Sequence, residues 1–385
     1  AGCRRVLLLR HCVRGTGLPK PELQAYSALP PPSWDSPDEW CTGGGAAISA
    51  RFGAFLKEEL GFDAGNTRLL SDKDMRDVQT GTKVMDEVAG QNNHTLVVDP
   101  SLWHSTAAPA NCAQVPAAEE RAELVKIMAR TPMPMGLGLP EDVSPEAWSA
   151  ALDKFRRIFG TGSKDFGSLA VPSADDYVEH DGTVHLTGAA TVLKYFAQQL
   201  LYAWASGNGL EGKPINFGNI TLESLNLTAS EVYELTAWEP YSRELERSVG
   251  GWAVISTQIS GLIYNTFAGG SLPRGTNLVL ASHDTNIDGI RGMFNLTWQE
   301  PPFSGSPGVT PPTSGVLFTE LPDGSLAIDV IYVAFDGTTG PPVRMASASP
   351  SRLSLDDLGL RARLTLQRFP AVGACAAKLH IDFGR

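Results

Sequence analysis

Charged side chains follow two short apolar runs that lie far apart in the sequence. The first run, Val6–Leu9, ends in Arg10 and His11, and a second run, much later in the chain, ends in His283 and Asp284. Short apolar runs are typical of buried strands in a parallel sheet, and α/β proteins bind ligands at the carboxyl ends of such strands. The sequence therefore predicts that these four polar side chains meet at one edge of a sheet.

Two further arginines belong to the same prediction. Arg14 lies three positions after His11, and Arg76 lies in a charged segment that follows the apolar pair Leu69 and Leu70. Guanidinium groups present paired donors to phosphate oxygens, and a neutral imidazole can attack phosphorus without a metal. A nearby carboxyl group can protonate the leaving alkoxide and then deprotonate water. The residue types indicate phosphoryl chemistry.

Strands and helices alternate in the first hundred residues. A helix is predicted over Ala46–Leu60, where apolar residues recur at helical spacing and Gly61 follows as a C-cap. Leu69 and Leu70 form a second strand, a helix follows over 74–88, and residues 96–98 form a third strand. This order predicts an α/β fold with a mostly parallel sheet flanked by helices.

The middle of the chain has a different character, because strand signals are missing from it. Helical patterns cover Ala117–Ala129, Pro145–Phe159 and Thr187–Ala205, and helix returns over Tyr241–Phe267. Residues 277–281 then form a strand, and 316–321 with 326–335 form a hairpin. We expect a discontinuous α/β core domain (1–102 and 241–385) and an inserted, mainly helical cap domain (103–240).

Composition narrows the possible partners. The chain of 385 residues has 31 Lys and Arg against 42 Asp and Glu, a net charge of −11. Nucleic acid and anionic membranes both require a cationic surface, so neither is expected as the main partner. No run approaches the ~18 apolar residues of a transmembrane helix. A small-molecule phosphate monoester fits the charged residues best.

The two motifs together resemble those of the histidine acid phosphatases, in the second branch of the histidine phosphatase superfamily. Arg-His-x-x-Arg stands at 10–14 and His-Asp-Thr-Asn at 283–286. More narrowly, the chain is similar to the bacterial phytase and glucose-1-phosphatase type. The similarity extends to the Thr-Gly turn at 42–45, the segment 72–76, the helix start at 186–189 and Thr-Pro-Pro at 310–312. It implies a phosphoglycerate-mutase-like fold.

The resemblance also implies a role for each matching position. His11 would be the nucleophile that becomes phosphohistidine, and His283 would donate to the phosphoryl oxygens. Asp284 would be the general acid and then the base. The phosphate group would be bound by Arg10, Arg14, Arg76 and His283. The family uses no metal, so neither a metal nor another cofactor is expected.

Several positions depart from the family pattern. Cys12 replaces the glycine after the nucleophile, and we expect it to be a small buried residue without a chemical role. Gly17 and Leu18 replace a Thr-Lys pair with which phytases bind a polyphosphorylated ring, and Gln198 replaces an acidic residue. These departures weaken the case for phytate. The expected substrate pocket comprises Thr16, Asp72, Tyr195 and Gln198.

The five cysteines have no metal-ligand spacing, so no zinc site is expected. Family members often link the cap to the C-terminal region, which implies a Cys112–Cys375 disulfide and leaves Cys3–Cys41 as a second pair. The chain opens Ala1-Gly2-Cys3 rather than with Met, as a mature chain does after signal-peptide removal. We therefore expect a secreted or periplasmic protein.

The function predicted is an acid phosphatase that hydrolyses phosphate monoesters through a phosphohistidine. Phytate and sugar phosphates both remain open as substrates. One alternative is a phosphotransferase or mutase of the same superfamily, although those enzymes usually lack the aspartate after the late histidine. The other alternative is a catalytically impaired protein that only binds phosphate esters.

Overall fold

The structure is a computed structural model that describes residues 2–16, 21–99, 117–180, 183–209, 228–246, 250–268, 272–299, 310–335 and 340–368. The strands are β1 (Arg5–Arg10), β2 (Thr67–Ser71), β3 (Leu96–Val98), β4 (Tyr177–His180), β5 (Thr183–Leu186), β6 (Asn277–Ser282), β7 (Gly315–Glu320), β8 (Leu326–Val333) and β9 (Val343–Leu353). The helices are α1 (Pro21–Gln24), α2 (Gly43–Leu60), α3 (Met75–Ala89), α4 (Ala117–Met128), α5 (Pro145–Phe159), α6 (Gly188–Gly209), α7 (Ala229–Thr236), α8 (Trp238–Glu246), α9 (Gly250–Ala268), α10 (Asp284–Phe294) and α11 (Leu355–Arg368).

One seven-stranded sheet forms the centre of the molecule, in the order β3-β2-β6-β1-β7-β8-β9. The pairs β3–β2, β2–β6 and β6–β1 are parallel, and β1–β7, β7–β8 and β8–β9 are antiparallel. The expected α/β class is confirmed. The sheet is mixed, however, because the hairpin predicted around Pro322-Asp323-Gly324 and the unpredicted β9 extend its parallel half with antiparallel strands.

The four central residues of β1, between Arg5 and Arg10, are all apolar because both faces of the strand are covered. Leu7 and Leu9 pack into a hydrophobic cluster with α2, α3 and the helices of residues 117–246. Val6 and Leu8 point the other way, into a second cluster with α9, α10 and α11. Alternate residues of a strand face opposite sides of its sheet, so a continuous apolar run is needed here.

The predicted helices mostly occur where periodicity placed them, with ends displaced by a few residues. The predicted helix over 241–267 is occupied by α8 and α9, on either side of residues 247–249, which lie outside the described part of the chain. The middle region, in which we expected no strands, contains the hairpin β4–β5. Its sequence signal is the dipeptide Asp181-Gly182, a frequent hairpin turn that lies between two alternating runs. The expected division into core and cap domains stays a prediction.

None of the helices in the described part of the chain combines the length and the apolar character needed to cross a bilayer.

Candidate active site

Three neighbouring strands of the parallel half end at the same edge of the sheet. Ser71, the last residue of β2, pairs with Ala281 of β6, and Arg10 of β1 pairs with Ser282. The residues that follow these strands are Asp72, His283 and His11. Their backbones stay in register beyond the strands, since the His11 amide donates to Ser282 O at 2.8 Å. The strand order alone therefore brings together three segments separated by up to ~270 residues.

The first imidazole, His11, is buried and has a defined tautomer. The residue is only 3 % exposed, and its Nδ1 lies 2.8 Å from the carbonyl oxygen of Cys12. Because a carbonyl only accepts, Nδ1 carries the proton and Nε2 keeps its lone pair. Burial, reinforced by the positive charges of Arg76 and Arg10, lowers the pKa of His11 well below its usual value. The ring is thus neutral and able to act as a nucleophile.

The three expected phosphate ligands Arg10, Arg14 and Arg76 surround this ring closely enough to lower its pKa. Arg10 is fully buried, and Arg14 and Arg76 are 14 % and 15 % exposed at their side chains. The Nε–H group of each of the three is buried and donates no hydrogen bond to the described residues. Guanidinium donors that are buried without an acceptor suit a site that accepts an oxyanion.

The second imidazole, His283, is held by carboxylates. Its Nε2 lies 2.7 Å from Asp72 Oδ2 and 3.6 Å from Asp77 Oδ2, and its Nδ1 lies 3.3 Å from Arg76 Nη2. Burial opposes its protonation, but Asp77 and Asp72 outweigh burial and raise the pKa of His283. The His11 and His283 ring centroids are 5.7 Å apart. The structure thus places the neutral imidazole of His11 beside the imidazole of His283, whose raised pKa favours the protonated form.

Asp72 is buried behind His283, where it acts as the acceptor for that ring. We had expected it in the substrate pocket, and its observed contact makes it a partner of the second imidazole. Asp74 and Asp77 lie close by, and the ligand atoms of Asp72, Asp74, Asp77 and His283 are all within 4.8 Å of one another. We call these four residues the acid cluster. Arg76 Nη2 lies 2.7 Å from Asp74, so a guanidinium group already supplies positive charge to this cluster.

The carboxyl group of Asp284, at the start of α10, is bound by two buried guanidinium groups. Its Oδ2 lies 2.8 Å from Arg10 Nη2 and 3.0 Å from Arg243 Nη1. Burial alone would raise the pKa of Asp284, but Arg10 and Arg243 hold it well below its usual range. A carboxyl group that acts first as an acid must carry a proton, whereas here the free site holds it ionised.

Arg243, on α8, is the centre of a buried ion-pair network that the sequence did not reveal. It is 2 % exposed, and its guanidinium group contacts Glu239 at 2.7 Å, Asp284 at 3.0 Å and Asp288 at 2.9 Å. Its Nη2 also donates to Thr310 Oγ1 at 2.9 Å. The i,i+4 spacing of Glu239 and Arg243 was a usable signal, but their burial beside Asp284 was not visible in the sequence.

Helix α6 approaches the loop after β1 through Gln199 and Tyr202. Thr16 Oγ1 donates to Gln199 Oε1 at 2.8 Å, so Gln199 rather than Gln198 reaches this loop. Tyr202, one helical turn further on, accepts from Arg10 and lies 5.5 Å below the guanidinium group of Arg14. Tyr195 packs edge-on against Phe196, with centroids 5.0 Å apart, and joins the hydrophobic cluster. Tyr195 lies one helical turn before Gln199, and the expectation that Tyr195 and Gln198 line the substrate pocket stays a prediction.

The disulfide expectation for Cys41 is wrong. Cys41 bonds to Cys12, with Cα atoms 5.7 Å apart, and Cys3 forms no disulfide within the described part of the chain. Cys12 is buried as expected, but it links the loop after β1 to the segment before α2. The pairing follows from a backbone contact, since Arg14 and Cys41 form an isolated β-bridge. Cys112 and Cys375 both lie outside the described residues.

The glycine-rich first turn of α2 packs against the same loop. Thr42 caps the helix, with its Oγ1 accepting from the Gly45 amide at 3.0 Å. A Cβ atom on Gly45 would lie 2.1 Å from the carbonyl oxygen of Val13. Glycine is therefore required for α2 to begin directly against the residues that follow His11.

The fold matches those of several solved structures at low sequence identity. Phytase from Hafnia alvei, in its apo form, superimposes with a TM-score of 0.74 at 18 % identity, covering 97 % of this chain and 98 % of that chain. Phytase from Citrobacter braakii gives 0.72 at 16 % identity, covering 96 % and 99 %. Phytase from Klebsiella sp. ASR1 gives 0.71 at 17 % identity, covering 96 % and 95 %.

No protein-family model matches the chain, and no curated protein matches it in sequence. The structural matches span nearly all of both chains, and they include an H. alvei phytase in complex with myo-inositol hexakis sulphate. At these identities the likeness concerns the fold. The fold expected from the resemblance to the histidine acid phosphatases is thereby confirmed, and the chain has the fold of the bacterial phytases.

Proposed function

We propose that this protein is an acid phosphatase that hydrolyses phosphate monoesters through a phosphohistidine at His11. One observation carries the proposal: the buried His11 ring has its Nδ1 proton fixed on Cys12 O, 2.8 Å away, which leaves Nε2 free for attack. Burial, together with the charges of Arg76, Arg10 and Arg14, lowers the pKa of His11 and keeps this ring neutral, and the same arginines bind the phosphoryl group that it attacks.

In the first step, His11 Nε2 attacks phosphorus and the P–O bond to the leaving group breaks. The three arginines and His283, whose pKa is raised, stabilise the charge on the phosphoryl oxygens. The leaving alkoxide takes a proton from Asp284, which must first acquire one. A bound phosphate adds negative charge beside Arg10, and this charge raises the proton affinity of Asp284 from its low value in the free site.

In the second step, Asp284 removes a proton from water, the water oxygen attacks phosphorus, and the P–Nε2 bond breaks. A carboxylate between Arg10 and Arg243 is already ionised, as this step requires. The presence of this aspartate supports hydrolysis over transfer to another acceptor. Inorganic phosphate and the regenerated neutral His11 are the products.

The substrate class follows from the charge of the site, and the compartment follows from the disulfide. Phytate and sugar phosphates both carry the monoester group that the arginines would bind, and we expect neither nucleic acid nor membrane as a partner. Cys12–Cys41 supports a secreted or periplasmic location, since disulfides persist in oxidising compartments.

The proposal is tested with p-nitrophenyl phosphate, glucose 1-phosphate, nucleotides and phytate as a substrate panel at acidic pH. An enzyme of this kind releases phosphate from at least the aryl ester, and a protein that only binds phosphate esters releases none. Adding an alcohol acceptor separates the remaining alternative, because a transferase makes a new phosphate ester in place of inorganic phosphate. A His11→Ala variant with wild-type turnover would contradict the proposed nucleophile.

A further inference from the structure

A carboxylate on a different segment, Glu39, lies between two of the three arginines assigned to phosphate. Glu39 Oε1 accepts from Arg14 Nη1 at 2.8 Å, and Glu39 Oε2 accepts from Arg76 Nη1. One carboxylate thus bridges two guanidinium groups, as a phosphate with two oxygens would. Nothing in the sequence motifs indicated this residue.

The position of Glu39 is at the mouth of the site. Its side chain is 45 % exposed, whereas those of Arg14 and Arg76 are 14 % and 15 % exposed. The carboxylate therefore covers the two arginines from the solvent side, which is the side from which a substrate arrives. Arg10, the third arginine, is fully buried and pairs instead with Asp284 and Glu239.

The backbone of the segment that contains Glu39 is hydrogen-bonded to the loop after β1. The Glu39 amide donates to Gly15 O at 3.0 Å, and the Gly15 amide donates to Trp40 O at 2.9 Å. Two residues further on, Cys41 forms the disulfide with Cys12. Glu39 itself has a φ of 65°, in the left-handed region that glutamate rarely adopts. Such backbone conformations persist where surrounding contacts impose them. In this segment the conformation directs the Glu39 side chain towards Arg14 and Arg76.

We propose that Glu39 is a specificity-determining residue, a resident carboxylate that competes with substrate for Arg14 and Arg76. This inference rests on the proposed function, because it takes these arginines as the phosphate-binding groups. An incoming phosphoryl group must displace the carboxylate from both guanidinium groups. The displaced carboxylate remains tethered at the mouth, next to the leaving group.

Two consequences for substrate choice follow. The conformer with Glu39 on the arginines cannot bind phosphate there, so the apparent affinity for phosphate is the affinity of the open conformer multiplied by the fraction of molecules in that conformer. A leaving group that carries further phosphates meets the displaced negative charge, whereas an uncharged leaving group does not. The chain is thus built to favour monophosphates with uncharged leaving groups over polyphosphorylated ones.

The test compares Glu39→Gln with Asp38→Asn, which removes the same charge from the adjacent, exposed position. Calorimetry with inorganic phosphate measures affinity without turnover. Glu39→Gln should bind phosphate about tenfold more tightly than wild type, as expected when a competing conformer populated at about 90 % is removed. Asp38→Asn should bind as wild type does.

A second readout is the ratio of kcat/KM for inositol hexakisphosphate to that for p-nitrophenyl phosphate. The ratio should rise in Glu39→Gln and stay unchanged in Asp38→Asn. Glu39→Gly provides an independent variant, because glycine suits the positive φ at this position and removes the carboxylate. It should show the same two effects.

Phosphate affinity that is unchanged or weaker in both Glu39 variants would overturn the inference, as would an equal gain in Asp38→Asn. The outcome is separable from that of the proposed function. If no variant turns over any ester but the Glu39 variants bind phosphate more tightly, the proposed catalysis fails and the role of Glu39 stands. If the wild type hydrolyses esters and substitution of Glu39 leaves the phosphate affinity unchanged, the proposed catalysis stands and the role of Glu39 fails.

Discussion

The disulfide between Cys12 and Cys41 should contribute measurably to stability. The loss in free energy of unfolding on its removal can be worked out from the structure. The perturbation is the double substitution Cys12→Ser and Cys41→Ser, which is nearly isosteric. The two residues are 29 positions apart. Closing a loop of that length removes ~12 cal/mol/K from the unfolded chain, about 3.6 kcal/mol at 25 °C.

The corresponding change in melting temperature depends on the entropy of unfolding. At ~2.1 cal/mol/K per residue, a chain of 385 residues unfolds with ~0.8 kcal/mol/K, so the double variant should melt about 4 °C lower. The assay is calorimetry of the wild type, the double variant and Cys3→Ser. Cys3 has no disulfide partner among the described residues, so its substitution should leave Tm unchanged.

Peptide mapping without reduction supplies a direct check on the same protein. The peptides that contain Cys12 and Cys41 should be recovered as one linked species. An unchanged Tm in the double variant, together with separate alkylated peptides, would refute the pairing. A loss of stability in Cys3→Ser equal to that of the double variant would restore the Cys3–Cys41 pairing that the structure contradicts.

Three further predictions concern the site itself. Burial and the arginines lower the pKa of His11 below the ordinary 6.5, so kcat/KM should not fall as the pH drops through 6.5, and an acid limb centred there would contradict a neutral nucleophile. The lowered pKa of His11 also affects stability. Below pH 6.5 the unfolded chain binds a proton at this histidine and the folded chain does not, so this group lowers the free energy of unfolding as the pH falls. Arg243→Met leaves buried carboxylates without their partner and should cost about 3–5 kcal/mol in denaturant unfolding, with Arg243→Lys less affected; equal midpoints for wild type and Arg243→Met would contradict the network. Excess EDTA should leave turnover unchanged, whereas a loss that Zn²⁺ restores would assign a metal to the acid cluster.

Much of the site could be predicted because strand ends can be recognised in a short stretch of sequence, and they determine which distant residues come together. The apolar run before His11 and the one before His283 each predict a buried strand, and parallel strands end at a common edge. The geometry at Asp72, His283 and His11 follows from that rule. The alternation of strands and helices likewise sufficed for the α/β class.

The rest depended on contacts that no local pattern encodes. Whether Gln198 or Gln199 faces the loop after β1 depends on the rotation of α6, and one residue changes the direction of a helical side chain by 100°. The partner of Cys41 depended on which loop lies against the segment that follows β1. Glu39 and Arg243 also pair with residues that are far away in the sequence, and no local pattern indicates those partners. Edge strand β9 has too few apolar residues to be recognised.

The central claim, a covalent phosphate on His11, is tested most directly by rapid quench of Asp284→Asn with p-nitrophenyl phosphate. The amide cannot activate water, and p-nitrophenolate leaves without a proton, so phosphorylation should proceed while hydrolysis slows by at least ~10²-fold. We predict a burst of p-nitrophenol and an acid-labile phosphate on the peptide that contains His11, absent when His11→Ala is combined with it. Steady turnover without a phosphoenzyme, or phosphate on a different residue, would contradict the mechanism.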